Sequence, residues 1–512
     1  MRVGLFEQTR RAWRALTSMR TALLLLFLLA VAAVPGSLLP QWPVNAPAVR
    51  AWIADHPSAG PWLDRLGMFD VFASIWFVGL YAALALSLIG CVGPRLRLHA
   101  QAMRARPPAP PRGLHRLPYA DSWTTDDTPD AVAAAAAHRL SRWRVDRHTL
   151  SDGAVAIAAE RGFARESGNL LFHGALLALL AAVAYGSLVG FTGRRLVVEG
   201  EGFANTIAAY DDVKLGRLTE PADLDDFTVT LADFRASWRE DGQPSSFEAD
   251  VRVATGDDEA QQRRLQVNHP VSVAGARVYL LDHGYAPVLT VRNRAGEIVH
   301  RQATPFLPRP SGNLLSTGVV KVPNAGPVQL GFQAVFYPTI GVTPDGQAFS
   351  QFPDDDLPGL SYIAWAGDLG VDAGTPQSVF VLDTTKMVRT GQGFLLPGQS
   401  ATGLAGGATM TFERVAEYAV LQVARDPGQR PALIAATAAL AGLLLSLRVR
   451  RRRIWVRASP APGGTVVEVG GLARQDLEGF APEFAELVAG LRGVIVERAA
   501  GERVPIPEES PK

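Results

Sequence analysis

One cysteine, Cys91, stands in 512 residues, so the chain has no internal disulfide, no CxxC redox pair and no CxxCH haem-attachment site. Any exported part must fold without covalent staples, and c-type cytochromes and thiol reductases are excluded. Charge of one sign is also missing. Lys and Arg number 50 against 49 Asp and Glu, so there is no global basic field of the kind that nucleic-acid binders show. GxSxG, HExxH and phosphate-cradling glycine loops are absent as well, which removes the motif-marked hydrolases and nucleotide enzymes. What the chain has instead is apolar length. Hydrophobic residues make up 48% and the mean hydropathy is +0.10, high for a soluble enzyme and ordinary for a membrane anchor carrying a soluble part.

A bilayer core about 30 Å thick takes ~20 apolar residues in a helix. Four stretches qualify: residues 21–39, 71–92, 170–191 and 431–447. The last is the shortest, and Leu421–Val423 offers an extension of it. None holds Asp, Glu, Lys or Arg, which argues against ion coupling and a transporter subunit. A cleaved signal peptide would also set basic residues before a leucine-rich run, but the length of the first run and the three further spans favour a retained anchor.

Orientation follows from arginine asymmetry. Arg2, Arg10, Arg11, Arg14 and Arg20 precede the first span, Arg95, Arg97, Arg104, Arg106, Arg112 and Arg116 follow the second, and Arg448 with Arg450–Arg453 follows the fourth. Arg194 and Arg195, beyond span three, run against the pattern. The majority places residues 1–20, 93–169 and 448–512 in the cytoplasm, and 40–70 and 192–430 outside a bacterial cytoplasmic membrane.

Small residues recur every four positions in three spans: Gly174, Ala178, Ala182, Gly186 and Gly190; Gly79, Ala83, Ser87 and Cys91; Ala438, Gly442 and Ser446. Such seams let helix backbones approach in lipid, among these four helices or against a second membrane protein. His173, about one turn inside span three, is the one ionisable side chain of the spans. Imidazole is costly to leave unpaired there, so it is a functional candidate, and neutral imidazole ligates haem iron. The other use is an interfacial histidine bonded to a carbonyl or headgroup.

The outer region reads as β. Phe227, Val229 and Leu231 alternate with Thr228 and Thr230, and FEADVRV, RLQVNHPVSV, ARVYLLDHG, PVLTVRN, VQLGFQAVF, QSVFVLD and TMTFERV repeat the pattern between Gly, Pro, Asn and Asp turns. A disulfide-free sandwich or distorted barrel is expected. No catalytic constellation appears in it. His269 and His283 could meet across neighbouring strands, but no third ligand sits at metal spacing, and His269 in VNHP reads as a turn residue. On the inner side, a helix over Pro129–Leu140 and a hairpin of RWRVDRHTL with AVAIAAERG face a second hairpin of IWVRAS with TVVEVGG and a helix near Pro482–Leu491. These pieces are expected to form one small α+β domain, with a disordered tail after Arg498.

SMRTALLLLFLLAVAAVPGSLLPQ, ERGFARESGNLLFHGALL and VNHPVSVAGARVYLLDHGYAP together resemble the ResB (CcsB) cytochrome c biogenesis family over nearly the whole chain. The resemblance implies a multi-pass subunit of a haem-handling cytochrome c synthase complex. Its partner would be a ResC/CcsA-like multispan protein supplying a tryptophan-rich haem motif that this chain lacks. Its further partners would be apocytochrome c, whose CxxCH thiols receive haem outside the membrane, and thiol-reducing factors. The cofactor implied is haem b, held transiently and shared with the partner. His173 matches the histidine of the family motif and is the candidate axial ligand; Arg194 and Arg195 are basic groups at the outer face. No catalytic residue and no metal beyond haem iron is implied, and the role is that of a non-catalytic or co-catalytic subunit of a haem lyase. A membrane-anchored scaffold or sensor, whose β domain binds envelope proteins without haem, is the competing reading.

Overall fold

The computed structural model describes residues 2–309, 313–371, 380–473 and 477–501. Its helices are α1 (Arg2–Leu16), α2 (Met19–Leu38), α3 (Ala46–Asp55), α4 (Gly60–Arg65), α5 (Ile75–Arg104), α6 (Pro129–Arg139), α7 (Ala164–Val189), α8 (Gln429–Arg448) and α9 (Leu477–Gly501). Four of them, α2, α5, α7 and α8, are long and apolar enough to cross a bilayer. The protein is therefore a four-span membrane protein. Contacts divide the chain into two units, Met1–Val183 with Arg430–Lys512, and Ala184–Gln429.

In the first unit the spans start where side chains can cap them. Ser18 Oγ accepts from Thr21 N–H at the start of α2, and Ser74 Oγ accepts from Phe77 N–H at the start of α5. Helix α5 is longer than the apolar run within it. It begins after a short 3₁₀ turn at Val71–Ala73 and runs past Pro94 to Arg104, a last stretch from Arg95 on that is made of good helix formers. Buried Gln41 closes the loop between α2 and α5: its amide donates to Met68 O at 3.1 Å and its Oε1 accepts from Val71 N–H at 3.1 Å.

The soluble part of this unit is one sheet made from two distant stretches. Strands β1 (Tyr119–Thr125), β2 (Arg144–Thr149) and β3 (Val155–Arg161) come before α7; β22 (Arg452–Ala461) and β23 (Gly464–Ala473) come after α8. Their order is β1-β23-β22-β3-β2, with Arg161 opposite Arg452. The period-two pattern turns Ile157, Ala159, Val456, Val467 and Val469 to one face, where α6 and α9 cover them with Ala136, Leu140, Phe480 and Phe484. Trp455 on the other face donates its indole N–H to Pro108 O at 2.9 Å. The last helix is longer than Pro482–Leu491 and still helical at Gly501; residues 502–512 of the expected tail lie outside the described residues.

In the second unit strands run from β4 (Phe191–Val198), β5 (Gly202–Ala204), β6 (Asp212–Leu215), β7 (Phe227–Trp238), β8 (Pro244–Thr255), β9 (Gln261–Gln266), β10 (Val271–Val273), β11 (Ala276–Arg292) and β12 (Ile298–Ala303) to β13 (Leu307–Pro308), β14 (Ser316–Val322), β15 (Gln329–Tyr337), β16 (Thr339–Val342), β17 (Ala348–Phe352), β18 (Gly359–Gly367), β19 (Met387–Leu395), β20 (Ser400–Ala401) and β21 (Thr409–Arg425). ARVYLLDHG and PVLTVRN are one strand, the 17-residue β11, paired to the equally long β21. Leu421–Val423 sits in β21 and does not extend the fourth span. Of QSVFVLD, residues 380–383 are turn and coil, and 377–379 lie outside the described residues.

In place of the one sandwich or distorted barrel expected, two sheet packings form. One end of β11 and β21 carries Val278, Leu421 and Val423 against β7, β8 and β9 through Phe227, Val229, Val251 and Leu265. The other end carries Leu289, Met410 and Phe412 against β15 and β18 through Phe332, Phe336 and Leu360. A bulge at Leu281 of β11 lies between the two cores, and a second, at Glu413 of β21, lies beside the second core; the added twist lets one long ladder serve both.

Candidate functional site

The motif ERGFARESGNLLFH leads into α7, and almost every residue in it has a traceable physical task. Glu160, next to last in β3, has its side chain 4% exposed and accepts from Arg451 Nε at 2.6 Å and Arg453 Nε at 2.9 Å. Arg161 and Arg452 share Glu483. Gly162 has φ +91°, and a Cβ there would fall on the carbonyl of Arg450, so only glycine fits. The Phe163 ring lies under the guanidinium groups of Arg451 at 4.9 Å and Arg144 at 5.4 Å. Glu166 accepts from Arg451 Nη1 at 2.5 Å. Three members of the arginine run after the fourth span are thus ion-paired structural residues as well as topology signals.

Gly168 supplies the helix contact. A Cβ on it would stand 2.6 Å from Ser446 N and 2.7 Å from Gly442 O, and one on Gly442 would stand 2.6 Å from Phe172 N. Helices α7 and α8 therefore touch backbone to backbone, with Ala175, Ala182, Ala435 and Ala439 buried beyond. This contact only partly follows the expected seam. Gly442 and Ala182 belong to it, but Gly174 faces open space and Ala178 is exposed. Gly186 is buried against Asp426 and Gly428.

His173 lies on α7 one residue past the α8-facing Phe172, whose ring meets the imidazole edge-on at 5.1 Å. His173 Nδ1 is 2.8 Å from Asn169 O. A carbonyl oxygen only accepts, so Nδ1 carries the hydrogen and Nε2 presents its lone pair. The ring is half-buried, with open space beside Gly174 and the exposed Leu171 next to it. This is the arrangement of a metal-ligating histidine oriented by its other nitrogen. The same carbonyl bond matches the interfacial use.

A second histidine, His99 of α5, escaped the sequence reading because it lies beyond the apolar run. Its side chain is 11% exposed, Nε2 is 2.9 Å from Ser167 Oγ, and Nδ1 is 3.4 Å from Glu166 Oε2. Together with Tyr81, which donates to Leu180 O at 2.6 Å, it joins α5 to α7 on either side of His173. The available signal was two carboxylates just before one span and an arginine run just after another.

The unit Ala184–Gln429 does not bring its histidines together. His269 occupies an exposed turn, as its VNHP context implies, with Asn268 at φ +64°. His283 is buried among Phe234, Phe247 and Trp238, at ring distances of 5.1, 4.4 and 5.8 Å, and burial pushes its pKa down to about 4. Among the described residues no group of His, Cys, Asp and Glu could hold a metal ion. Arg195 is ion-paired to Asp211 at 2.7 Å. Glu248 of β8, Glu417 of β21 and, from the loops after β4 and β17, Glu199, Asp354 and Asp355 line a 550 Å³ cavity. Burial first, then the charges of Glu199, Asp355 and Asp354, pushes Glu417 up to about 8.

The ResB-like family model matches residues 19–485. A cytochrome c biogenesis protein CcsB of Synechococcus sp. (strain WH7803) is 27% identical over 93% of this chain and 97% of its own length. CcsB of Synechococcus sp. (strain CC9311) is 26% identical over 94% and 98%, and CcsB of Prochlorococcus marinus (strain MIT 9303) is 25% identical over 94% and 97%. The match runs through all four spans and both soluble parts, and the chain belongs to the ResB-like family.

Proposed function

We propose that this protein serves the biogenesis of c-type cytochromes as a subunit of a membrane complex that carries haem and presents it to apocytochrome CxxCH thiols. Support comes from relatives named for cytochrome c biogenesis that align along nearly their whole length. The observation that carries the haem assignment is His173, an imidazole inside a span with Nδ1–H bound to Asn169 O and Nε2 open. Haem is the substrate here, an apolar macrocycle with two anionic propionates. A lipid-embedded route for it needs apolar walls and an axial imidazole. This chain offers Leu171 and the open flank at Gly174 as wall, and His173 Nε2 as ligand to the iron. A tryptophan-rich multispan partner of the ResC/CcsA kind supplies the remaining haem contacts, and thiol-reducing factors keep the acceptor cysteines reduced.

The arginine asymmetry supports a topology with both termini in the cytoplasm and the two-sandwich unit outside. In that topology His173 lies toward the cytoplasmic leaflet, where haem is made, and the outer unit is free to hold apocytochrome.

The test is co-expression with the multispan partner, purification of the complex and measurement of its haem spectrum. His173→Gly is expected to lose or shift the haem bands and to lower holocytochrome c, with added imidazole restoring part of both. Unchanged bands and full maturation refute the ligand assignment. Intact c-type cytochromes after deletion of the whole protein refute the biogenesis role.

A further inference from the structure

Helix α1 takes no part in the haem reading. From Glu7 to Ala15 every residue is exposed, so just before a membrane span there is a helix whose two faces both meet a medium other than protein. Those faces differ in chemistry. At 100° per residue, Glu7, Arg10, Arg11 and Arg14 gather on one side, and Ala12, Trp13 and Leu16 on the other. The charged side holds three arginines against one glutamate, and that glutamate pairs with Arg11 at 3.7 Å. On the apolar side the Trp13 indole is 49% exposed, an aromatic of the kind that settles at headgroup level.

The depth of α1 is set by span two. Between Leu16, where α1 ends, and Met19, where α2 begins, backbone carbonyls lack their intrahelical partners. In an apolar setting each would be costly. Helix α5 supplies the donors: Ser87 Oγ–H donates to Leu16 O at 2.7 Å and Cys91 Sγ–H donates to Thr17 O at 2.9 Å. Gly90 between them admits the chain, since a Cβ there would strike Thr17 and come within 3.4 Å of Trp13. The second seam of small residues and the lone cysteine thus form a socket for the α1–α2 junction. Cys91 is next to the last residue of the apolar run and four residues short of Arg95, so the junction lies at the membrane boundary.

We propose that α1 lies in the membrane surface and that its arginine face binds anionic phospholipid headgroups of the leaflet bordering the Arg95 end of α5. Guanidinium groups match phosphate geometry and charge, and an amphipathic helix tethered at this depth buries its apolar side in the acyl boundary while its basic side meets the headgroups. The alternative occupant is an acidic protein surface.

The test is hydrogen exchange of residues 7–16 in the full-length protein, held in nanodiscs of phosphatidylcholine alone or of phosphatidylcholine mixed with phosphatidylglycerol. A net two charges at an anionic surface is expected to raise amide protection about 30-fold in the mixed discs, and high salt should reduce the gain. Arg10→Glu/Arg11→Glu/Arg14→Glu, on an exposed face that the fold does not use, should abolish the lipid dependence, while the corresponding triple lysine variant keeps most of it. Equal protection in both discs overturns the proposal. So does protection that appears only when the multispan partner is added, which would make α1 a protein-docking helix.

Discussion

Removing the Glu160 carboxylate should loosen the split-sheet domain at the place where its two halves meet. Its side chain is 4% exposed and accepts from Arg451, which Glu166 also pairs, and from Arg453; the two arginine side chains are 24% and 28% exposed. Those residues are 291 and 293 positions away in sequence, so the contact joins the halves of the split sheet. Cutting one partner from a buried ion pair costs about 3–5 kcal/mol. About a quarter of each arginine still reaches solvent, which puts Glu160→Ala nearer 2–3 kcal/mol. Glu160→Gln keeps the shape and an acceptor oxygen without the charge and should lose about 1–2 kcal/mol. Replacing Glu160 and Arg453 together by leucine leaves Arg451 paired with Glu166, and should cost less than Glu160→Ala alone. The assay is hydrogen exchange of β3 and β22 in the detergent-solubilised protein. A loss of 2–3 kcal/mol corresponds to exchange roughly 30- to 150-fold faster. Unchanged exchange in Glu160→Ala, or a Glu160→Leu/Arg453→Leu variant worse than the single alanine, would refute the reasoning.

Further outcomes follow from other contacts. Gly442→Leu drives a side chain into the backbone of Phe172 and Gly168; it should separate α7 from α8, and an engineered cysteine pair across this contact should then cross-link poorly. Gly162→Ala meets both the positive φ and the Arg450 carbonyl, and is expected to lose about 3 kcal/mol or more, seen as a collapse in the yield of folded protein. The two-sandwich unit should respond to pH in two ways. Glu417, raised from 4.5 to about 8, binds more protons folded than unfolded, so its contribution is full below pH 4.5 and is lost as pH rises through 8. His283, lowered from 6.5 to about 4, binds fewer when folded, so its contribution is present above pH 6.5 and lost as pH falls through 4. Between pH 6.5 and 8 only Glu417 acts; wild-type stability should fall there, and Glu417→Gln should flatten the slope in a thermal-unfolding series.

Much of the candidate site could be read from single residues. A histidine within a charge-free apolar run stands out because burying imidazole is costly, and its family motif supplied a use. Its tautomer could not be read, because that depends on the helix bringing Asn169 O to Nδ1. His99, Glu160 and Glu166 were invisible as a set. Each looks like an ordinary polar residue near a membrane boundary until α5, β3 and the arginine run after α8 are folded together. His269 and His283 show the reverse, two histidines that strand spacing allowed to meet and that the fold parts, one in a turn and one among aromatic rings.

The sequence by itself determined the four spans, since a bilayer imposes a length and a polarity on any helix that crosses it. It also determined that the large insert is β, because a period of two shows in local alternation. Only the tertiary structure decided that β11 and β21 serve two cores, because a long strand and two short ones give the same alternation. Only the fold showed that small residues spaced by four divide between a helix contact at Gly442, a socket at Ser87 and Cys91, and an open flank at Gly174. Spacing says which residues share a face. Which face finds a neighbour is a property of the whole packed chain.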